Sequence, residues 1–131
     1  MFNTQIKVLV VDDMMTMRKL VSKVLKEIGF QNIIEAADGI LAWEAIQNST
    51  PPIGLVISDW NMPNCSGLDL VKRLRADSRF KTTPFIMVTA EAEQHQVVEA
   101  IKAGVDNYVV KPFGKEQLIE KLEAVHKKRG G

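Results

Sequence analysis

The sequence predicts an α/β domain built on a parallel sheet with helices on both faces. Short continuous apolar runs, rich in β-branched residues, alternate with stretches whose apolar residues recur every three or four positions. The alternation repeats along the whole chain as βαβαβαβαβα, an order satisfied by parallel strands joined through helices. The strand runs are apolar at successive positions, as strands covered on both faces require.

The first run is Val8-Leu9-Val10-Val11. After it, Met17, Leu20, Val21, Val24, Leu25 and Ile28 mark one helix face, and Gly29 supplies the stop. Asn32-Ile33-Ile34-Glu35 is the second strand, Asp38-Gly39 a helix entry, and Leu41, Ala42, Ala45 and Ile46 the second helix. Thr50-Pro51-Pro52 breaks the chain before a third strand over 53–57. Leu68, Val71 and Leu74 mark the third helix, 84–89 the fourth strand, 97–103 a helix ending at Gly104, and 108–110 the fifth strand. Leu118, Leu122 and Val125 lie on a last helix. Pro84 and Pro112 flank strands without interrupting them, which proline tolerates. The basic stretch His126-Lys127-Lys128-Arg129 before Gly130-Gly131 is expected to fray as a solvated helix end.

With 131 residues the chain suits one domain, 1–131, with its core over about 7–127. A domain of this size buries roughly two-thirds of the surface its unfolded chain exposes. The 17 basic and 16 acidic residues leave a net charge of +1, which gives no global attraction to nucleic acid or anionic membrane. No apolar stretch approaches the length of a membrane span, and none reads as a signal peptide. Cys65 is the single cysteine, so no intrachain disulfide can form. These features fit a cytoplasmic protein, and a monomer is expected.

In an open α/β sheet, ligands bind beyond the carboxyl ends of the strands. There the sequence places Asp12 and Asp13 after the first strand, Asp59 after the third, Thr89 at the end of the fourth and Lys111 after the fifth. Glu35-Ala36-Ala37, ending the second, offers nothing so definite. Three carboxylates on one rim repel one another unless a cation joins them. Oxygen ligands without His or Cys suit a hard ion such as Mg²⁺ rather than zinc or copper. A carboxylate nucleophile, a divalent ion, a lysine and a hydroxyl are the parts needed to receive a phosphoryl group. Each residue alone has an ordinary structural reading too. Asp12, Asp13 or Thr89 can cap a helix, Lys111 can form a structural ion pair, and Asp59 can be a turn residue. Their joint placement on four strand ends favours the chemical reading.

Val10-Val11-Asp12-Asp13, Asp59 after a strand, Thr89-Ala90 and Lys111-Pro112-Phe113 together resemble the response-regulator receiver family. The resemblance runs over about 7–127 and is nearest to the family's stand-alone chemotaxis members. Thr16-Met17-Arg18, the segment from Ser58 through Asp59-Trp60-Asn61-Met62-Pro63 to Asn64, Met87-Val88-Thr89-Ala90-Glu91-Ala92 and Tyr108-Val109-Val110 carry that finer likeness. It implies a flavodoxin-like sheet of five parallel strands in the order 2-1-3-4-5 with five helices. It implies Asp59 as the phosphorylated carboxylate, and Mg²⁺ bound by Asp13, Asp59 and the backbone carbonyl of Asn61, with Asp12 acting through a bound water. Lys111 and Thr89 would contact phosphoryl oxygens, Tyr108 would be an aromatic switch, and the Lys111-Pro112 bond would be cis. The implied partners are a histidine kinase as phosphodonor, a flagellar motor switch protein and a phosphatase.

The sequence departs from the chemotaxis pattern in several places. Glu93 and Gln94 stand where a basic pair is common, Cys65-Ser66 where an acidic residue precedes the glycine, and Met14-Met15 after the acidic pair. Trp60 is expected at the site rim, Trp43 in packing, and the methionines in core gaps, with Met14 and Met62 bordering the site. Cys65 is read as a packing residue, with a redox handle as the lesser alternative. His95 and His126 lie outside the apolar stripes and carry no assigned role. A single-domain phosphorelay shuttle or phosphate sink is the competing function. A flavodoxin-like redox domain would need a Ser/Thr/Gly-rich phosphate loop where Asp12-Asp13-Met14-Met15 stands. A metal-dependent phosphatase would need a second general acid where Asn61 stands. The chain is therefore not expected to be an enzyme beyond self-phosphorylation and self-dephosphorylation. A DNA-binding regulator is not expected, because the receiver resemblance already takes up nearly the whole of these 131 residues.

Overall fold

The computed structural model describes residues 2–90 and 94–129, with Gln94 and His95 described by their backbone alone. Met1, residues 91–93, the side chains of Gln94 and His95, and Gly130-Gly131 lie outside the described residues, so the departures at Glu93 and Gln94 do too.

The elements are β1 (Lys7–Val11), α1 (Met15–Ile28), β2 (Asn32–Ala36), α2 (Gly39–Asn48), β3 (Ile53–Asp59), α3 (Gly67–Ala76), β4 (Phe85–Thr89), α4 (Gln94–Ala103), β5 (Asn107–Val110) and α5 (Lys115–Lys128). They form one parallel sheet in the order β2-β1-β3-β4-β5, a flavodoxin-like doubly wound fold. The register pairs Val11 with Ala36 and Ser58, Asp59 with Val88, and Thr89 with Val110. The strands therefore end level with one another, which brings the residues that follow them to a single rim.

Side chains alternate across each strand, so each strand feeds two cores. Val8, Val10, Leu55, Ile57, Ile86, Val88 and Val109 face Val21, Leu25, Leu118, Leu122 and Val125 of α1 and α5. Leu9, Val11, Val56, Phe85 and Met87 face Ala42, Ile46, Leu70, Leu74 and Ala100 of α2, α3 and α4. Leu25, Leu118 and Leu122 are fully buried, and each such side chain contributes about 1.5–3 kcal/mol through burial.

Only the central strands are covered on both faces. The edge strands β2 and β5 leave residues half-buried or exposed, because each lacks a neighbour on one side. Leu20 and Leu41 share their helices' apolar spacing yet are exposed. Each falls at the margin of the stripe, which is narrower than the spacing suggests; Ser22 is buried in α1 instead. Met15 is also exposed rather than core, as is Met14 beside the acid pair, while Met87 is buried. Asp38 caps α2 by accepting the Leu41 N–H at 2.8 Å, as the entry turn requires. Both Lys111-Pro112 and Thr50-Pro51 are cis, the second unforeseen in the sequence. Among the described residues, no helix is long and apolar enough to cross a membrane.

The basic end of the chain is not frayed at Arg129. Its guanidinium lies 2.7 Å and 2.9 Å from the two carboxylate oxygens of Asp106, a buried residue just before β5. Arg75 of α3 approaches the same carboxylate at 3.2 Å, and the Phe85 N–H donates to it at 2.8 Å. This polar cluster ties α3, α5 and the entries to β4 and β5 together. His126, outside its helix's apolar stripe, packs its ring 5.0 Å from that of buried Phe2.

Candidate functional site

At the carboxyl rim, Asp12 follows β1 and its N–H donates to Ala36 O at 3.2 Å, which fixes the strand exit against β2. One Asp12 carboxylate oxygen accepts the Met14 N–H at 2.9 Å, and the other lies 3.2 Å from Lys111 Nζ. Its backbone carbonyl accepts from Arg18 Nη1 at 2.7 Å. Asp12 is thus committed on every side, and it is buried where Asp13 is exposed. The N-cap position of α1 is Met14, with no side-chain cap; Asp12 closes a turn onto Met14 rather than capping the helix.

Asp59 ends β3 and is buried, 9% exposed. Its Oδ1 accepts the Trp60 N–H at 2.9 Å and lies 3.2 Å from Lys111 Nζ. Lys111 is placed by β4, because its N–H donates to Thr89 O at 2.8 Å. One ammonium thus bridges Asp12 and Asp59. Carboxylate oxygens of Asp12, Asp13 and Asp59 all lie within 4.8 Å of one another.

Three carboxylates against one ammonium leave a strong negative field in a small volume. Burial is the chief cause that pushes the Asp59 carboxyl above the usual range, and the nearby Asp12 adds to it. Lys111 and the Trp60 N–H pull the other way without cancelling the shift. A divalent cation would relieve this repulsion, and an all-oxygen donor set fits a hard ion. The cluster can coordinate one.

Thr89 is buried at the end of β4. With Trp60, Asn61, Ala90 and Gln96 it lines a cavity of about 150 Å³ beside the acid cluster. Whether Thr89 caps the following helix rests on residues 91–93, outside the described set. Asn61 is exposed in the loop beyond Trp60. Tyr108 lies off the rim, paired in register with Met87 and half-buried, with Lys121 Nζ 5.0 Å from its ring centre.

Three features lie outside the four strand ends that carry the acid cluster, Thr89 and Lys111. Gly67, the first residue of α3, donates its N–H to Trp60 O at 2.9 Å. A Cβ there would run into the backbone carbonyl of Asp59 and meet Met87 Sδ at 2.7 Å, so the close approach needs glycine. Arg18 sits in α1, not at a strand end, yet its side chain reaches back to Asp12. Glu35, near the end of β2, is not part of the acid cluster, but its carboxylate pairs with Arg18 at 3.4 Å and with Lys19 at 3.0 Å. Cys65 is buried against Gly39, where a Cβ would come within 2.6 Å of its sulfur. Burial, then the Asp69 charge, pushes its thiol up, which disfavours the thiolate that redox chemistry needs.

Residues 8–123 match the response regulator receiver domain. The chain is 49% identical to chemotaxis protein CheY1 of Helicobacter pylori over 119 residues, covering 91% of this chain and 95% of that one. It is 44% identical to chemotaxis protein CheY-3 of Vibrio cholerae over 123 residues, covering 94% and 93%. The solved structure of chemotaxis response regulator CheY4 of Vibrio cholerae superposes with a TM-score of 0.84 at 36% identity, over 92% of this chain and 98% of that one. The acid rim thus sits in a chain that belongs to the response-regulator receiver family, closely related to its CheY-type chemotaxis regulators.

Proposed function

We propose that Asp59 accepts a phosphoryl group from the phosphohistidine of a histidine kinase, with Mg²⁺ at the acid cluster, and that the phosphorylated surface binds a flagellar motor switch protein. The observation that carries this reading is the shared ammonium: Lys111 Nζ lies 3.2 Å from both Asp12 and Asp59, in a cluster of three carboxylates. Receiver domains act as phosphoacceptors and catalyse nothing beyond their own phosphorylation and dephosphorylation.

In the transfer, a carboxylate oxygen of Asp59 forms the new P–O bond as the donor's P–N bond breaks, and the leaving imidazole takes up a proton. Asp13, Asp59 and the Asn61 carbonyl would hold the ion, with Asp12 acting through a bound water. The ion supplies positive charge to offset the anionic groups that meet there. Lys111 follows the charge as it moves from carboxylate to phosphoryl oxygen, and Thr89 offers its hydroxyl to another. The protein works in the cytoplasm, where kinase and motor meet it.

The test is phosphorylation by a small phosphodonor, followed by mass spectrometry. Asp59→Asn should take up no acid-labile phosphate, because an amide is a far poorer nucleophile and metal ligand. Full incorporation at another aspartate would overturn the assignment.

A further inference from the structure

Arg18 lies one turn into α1, and helical side chains lean toward the helix N-terminus. Its guanidinium therefore folds back over the first turn, where Nη1 donates to the carbonyl of Asp12 at 2.7 Å. The Arg18 side chain is only 16% exposed. From the other flank, Glu35 at the end of β2 braces the guanidinium at 3.4 Å. Lys19, one residue on, holds the second Glu35 oxygen at 3.0 Å. Burial raises the Glu35 carboxyl, but Lys19 and Arg18 outweigh it and the net direction is down, so Glu35 stays ionised as the brace. The chain of contacts runs Lys19 to Glu35 to Arg18 to the peptide that joins Asp12 to Asp13.

We infer that Arg18, braced by Glu35, is a positioning residue that locks the Asp12-Asp13 peptide and so aims the exposed Asp13 carboxylate at the metal. Asp13 needs such a device. Among the described residues its carboxylate has no hydrogen bond or ion pair of its own, whereas Asp12 and Asp59 are held by backbone N–H groups and Lys111. What fixes Asp13 is the peptide before it, and the Asp12 carbonyl of that peptide is the group Arg18 grips. The contact is charge-assisted and short, and a planar fork can serve a carbonyl and a carboxylate at once.

Charge and geometry predict opposite signs for removing Arg18. If Arg18 acted only as a nearby positive charge, losing it would deepen the negative field and tighten divalent binding. If it acts by positioning, losing it weakens binding. Partners that orient metal ligands typically carry about 10- to 100-fold in affinity.

The inference rests on the proposed metal reading, so the experiment includes a variant that tests that reading separately. Mg²⁺ affinity is measured by Trp60 fluorescence in a Trp43→Phe background, for Arg18→Met, Arg18→Lys, Glu35→Gln and Asp13→Ala. Arg18→Met keeps a long side chain and good helix propensity. Weakening by about tenfold or more is expected for Arg18→Met. Arg18→Lys should weaken too, because one ammonium cannot replace the fork, and Glu35→Gln should shift the same way by less. In metal-free protein, the Met14 amide should exchange faster in Arg18→Met. Unchanged or tighter Mg²⁺ binding in Arg18→Met, while Asp13→Ala loses it, would overturn the positioning role alone. Unchanged binding in Asp13→Ala as well would bring down the metal reading and this inference with it.

Discussion

Lys111 Nζ lies 3.2 Å from Asp59 Oδ1, yet the Asp59 carboxyl is still pushed above its ordinary range. Burial and the charge of Asp12 outweigh the ammonium, which must serve both acids. In the absence of metal, the folded protein therefore holds the Asp59 proton more tightly than the unfolded chain does. Stability falls as pH rises from the unfolded carboxyl pKa through the raised folded one, and the full penalty persists above that window.

Asp59→Asn removes this penalty while leaving Lys111 its contact with Asp12. In metal-free buffer at pH 7 the variant should be more stable than the wild type, and its stability should vary less with pH. Mg²⁺ at about 100 times its Kd should then stabilise the wild type by about 2.7 kcal/mol and the variant far less. Urea denaturation with and without Mg²⁺ checks both. A metal-free variant less stable than wild type would show that the carboxylate is a net stabiliser.

Gly67→Ala should cost about 2 kcal/mol, because the added methyl meets the Asp59 backbone as well as Met87 Sδ, and the backbone cannot turn away. The backbone it meets is the Asp59 carbonyl, so phosphorylation should slow as well. Gly114→Ala is the control: its methyl meets only the end of Gln117, at 3.0 Å, and should cost less than about 1 kcal/mol. Denaturation midpoints and phosphorylation rates separate the two. Equal effects would mean that α3 can retreat from the site without consequence.

Asp106 offers the converse test, stability without chemistry. It lies at the amino end of β5, away from the acid rim, with Arg75 and Arg129 on its carboxylate. Asp106→Ala strips two arginines of their carboxylate partner and leaves the Phe85 N–H unmet, which should cost about 3 kcal/mol. Arg129→Ala leaves Asp106 its other two partners and should cost about 1 kcal/mol, since Arg129 is partly exposed. Neither change should alter Mg²⁺ affinity measured where the protein remains folded. A loss of affinity in Arg129→Ala would mean that the two ends of the sheet are coupled.

The strands and the acid rim were legible because both are local signals. A run such as Val8-Leu9-Val10-Val11 announces a buried strand, and Asp12 directly follows one strand while Asp59 closes another. Arg18, Glu35, Gly67 and the Asp106 cluster were not legible, because their roles depend on elements far apart in sequence. Arg129 reads as one more cation in a basic tail until α5 packs and delivers it to a carboxylate 23 residues earlier. Leu20 and Leu41 mislead for a related reason. Periodicity gives the centre of a helix's apolar stripe, but neighbouring elements decide how wide a stripe they cover.

Tyr108 is half-buried on the edge strand β5, and its residue is paired in register with Met87, two positions before Thr89. A dianionic phosphoryl group on Asp59 should draw the Thr89 hydroxyl toward it through a charge-assisted hydrogen bond. That movement would open space beside β4 for the Tyr108 ring. An inward swing forfeits the contact with Lys121 at 5.0 Å, which at such a site is worth only about 0.5–1 kcal/mol. A coupling of about 1–3 kcal/mol between phosphorylation and partner binding is large enough to offset it. Phosphorylation should therefore strengthen binding of a motor-switch peptide at the face of α4, β5 and α5 by roughly five- to a hundredfold. Thr89→Ala should still accept phosphate but bind the peptide almost equally in both forms, as titrations with and without phosphodonor would show. Lys121→Gln should shift the unphosphorylated protein slightly toward the binding form. If the peptide binds neither form while a histidine phosphotransfer protein takes the phosphoryl group, the domain is a relay and its output is the phosphoryl group itself.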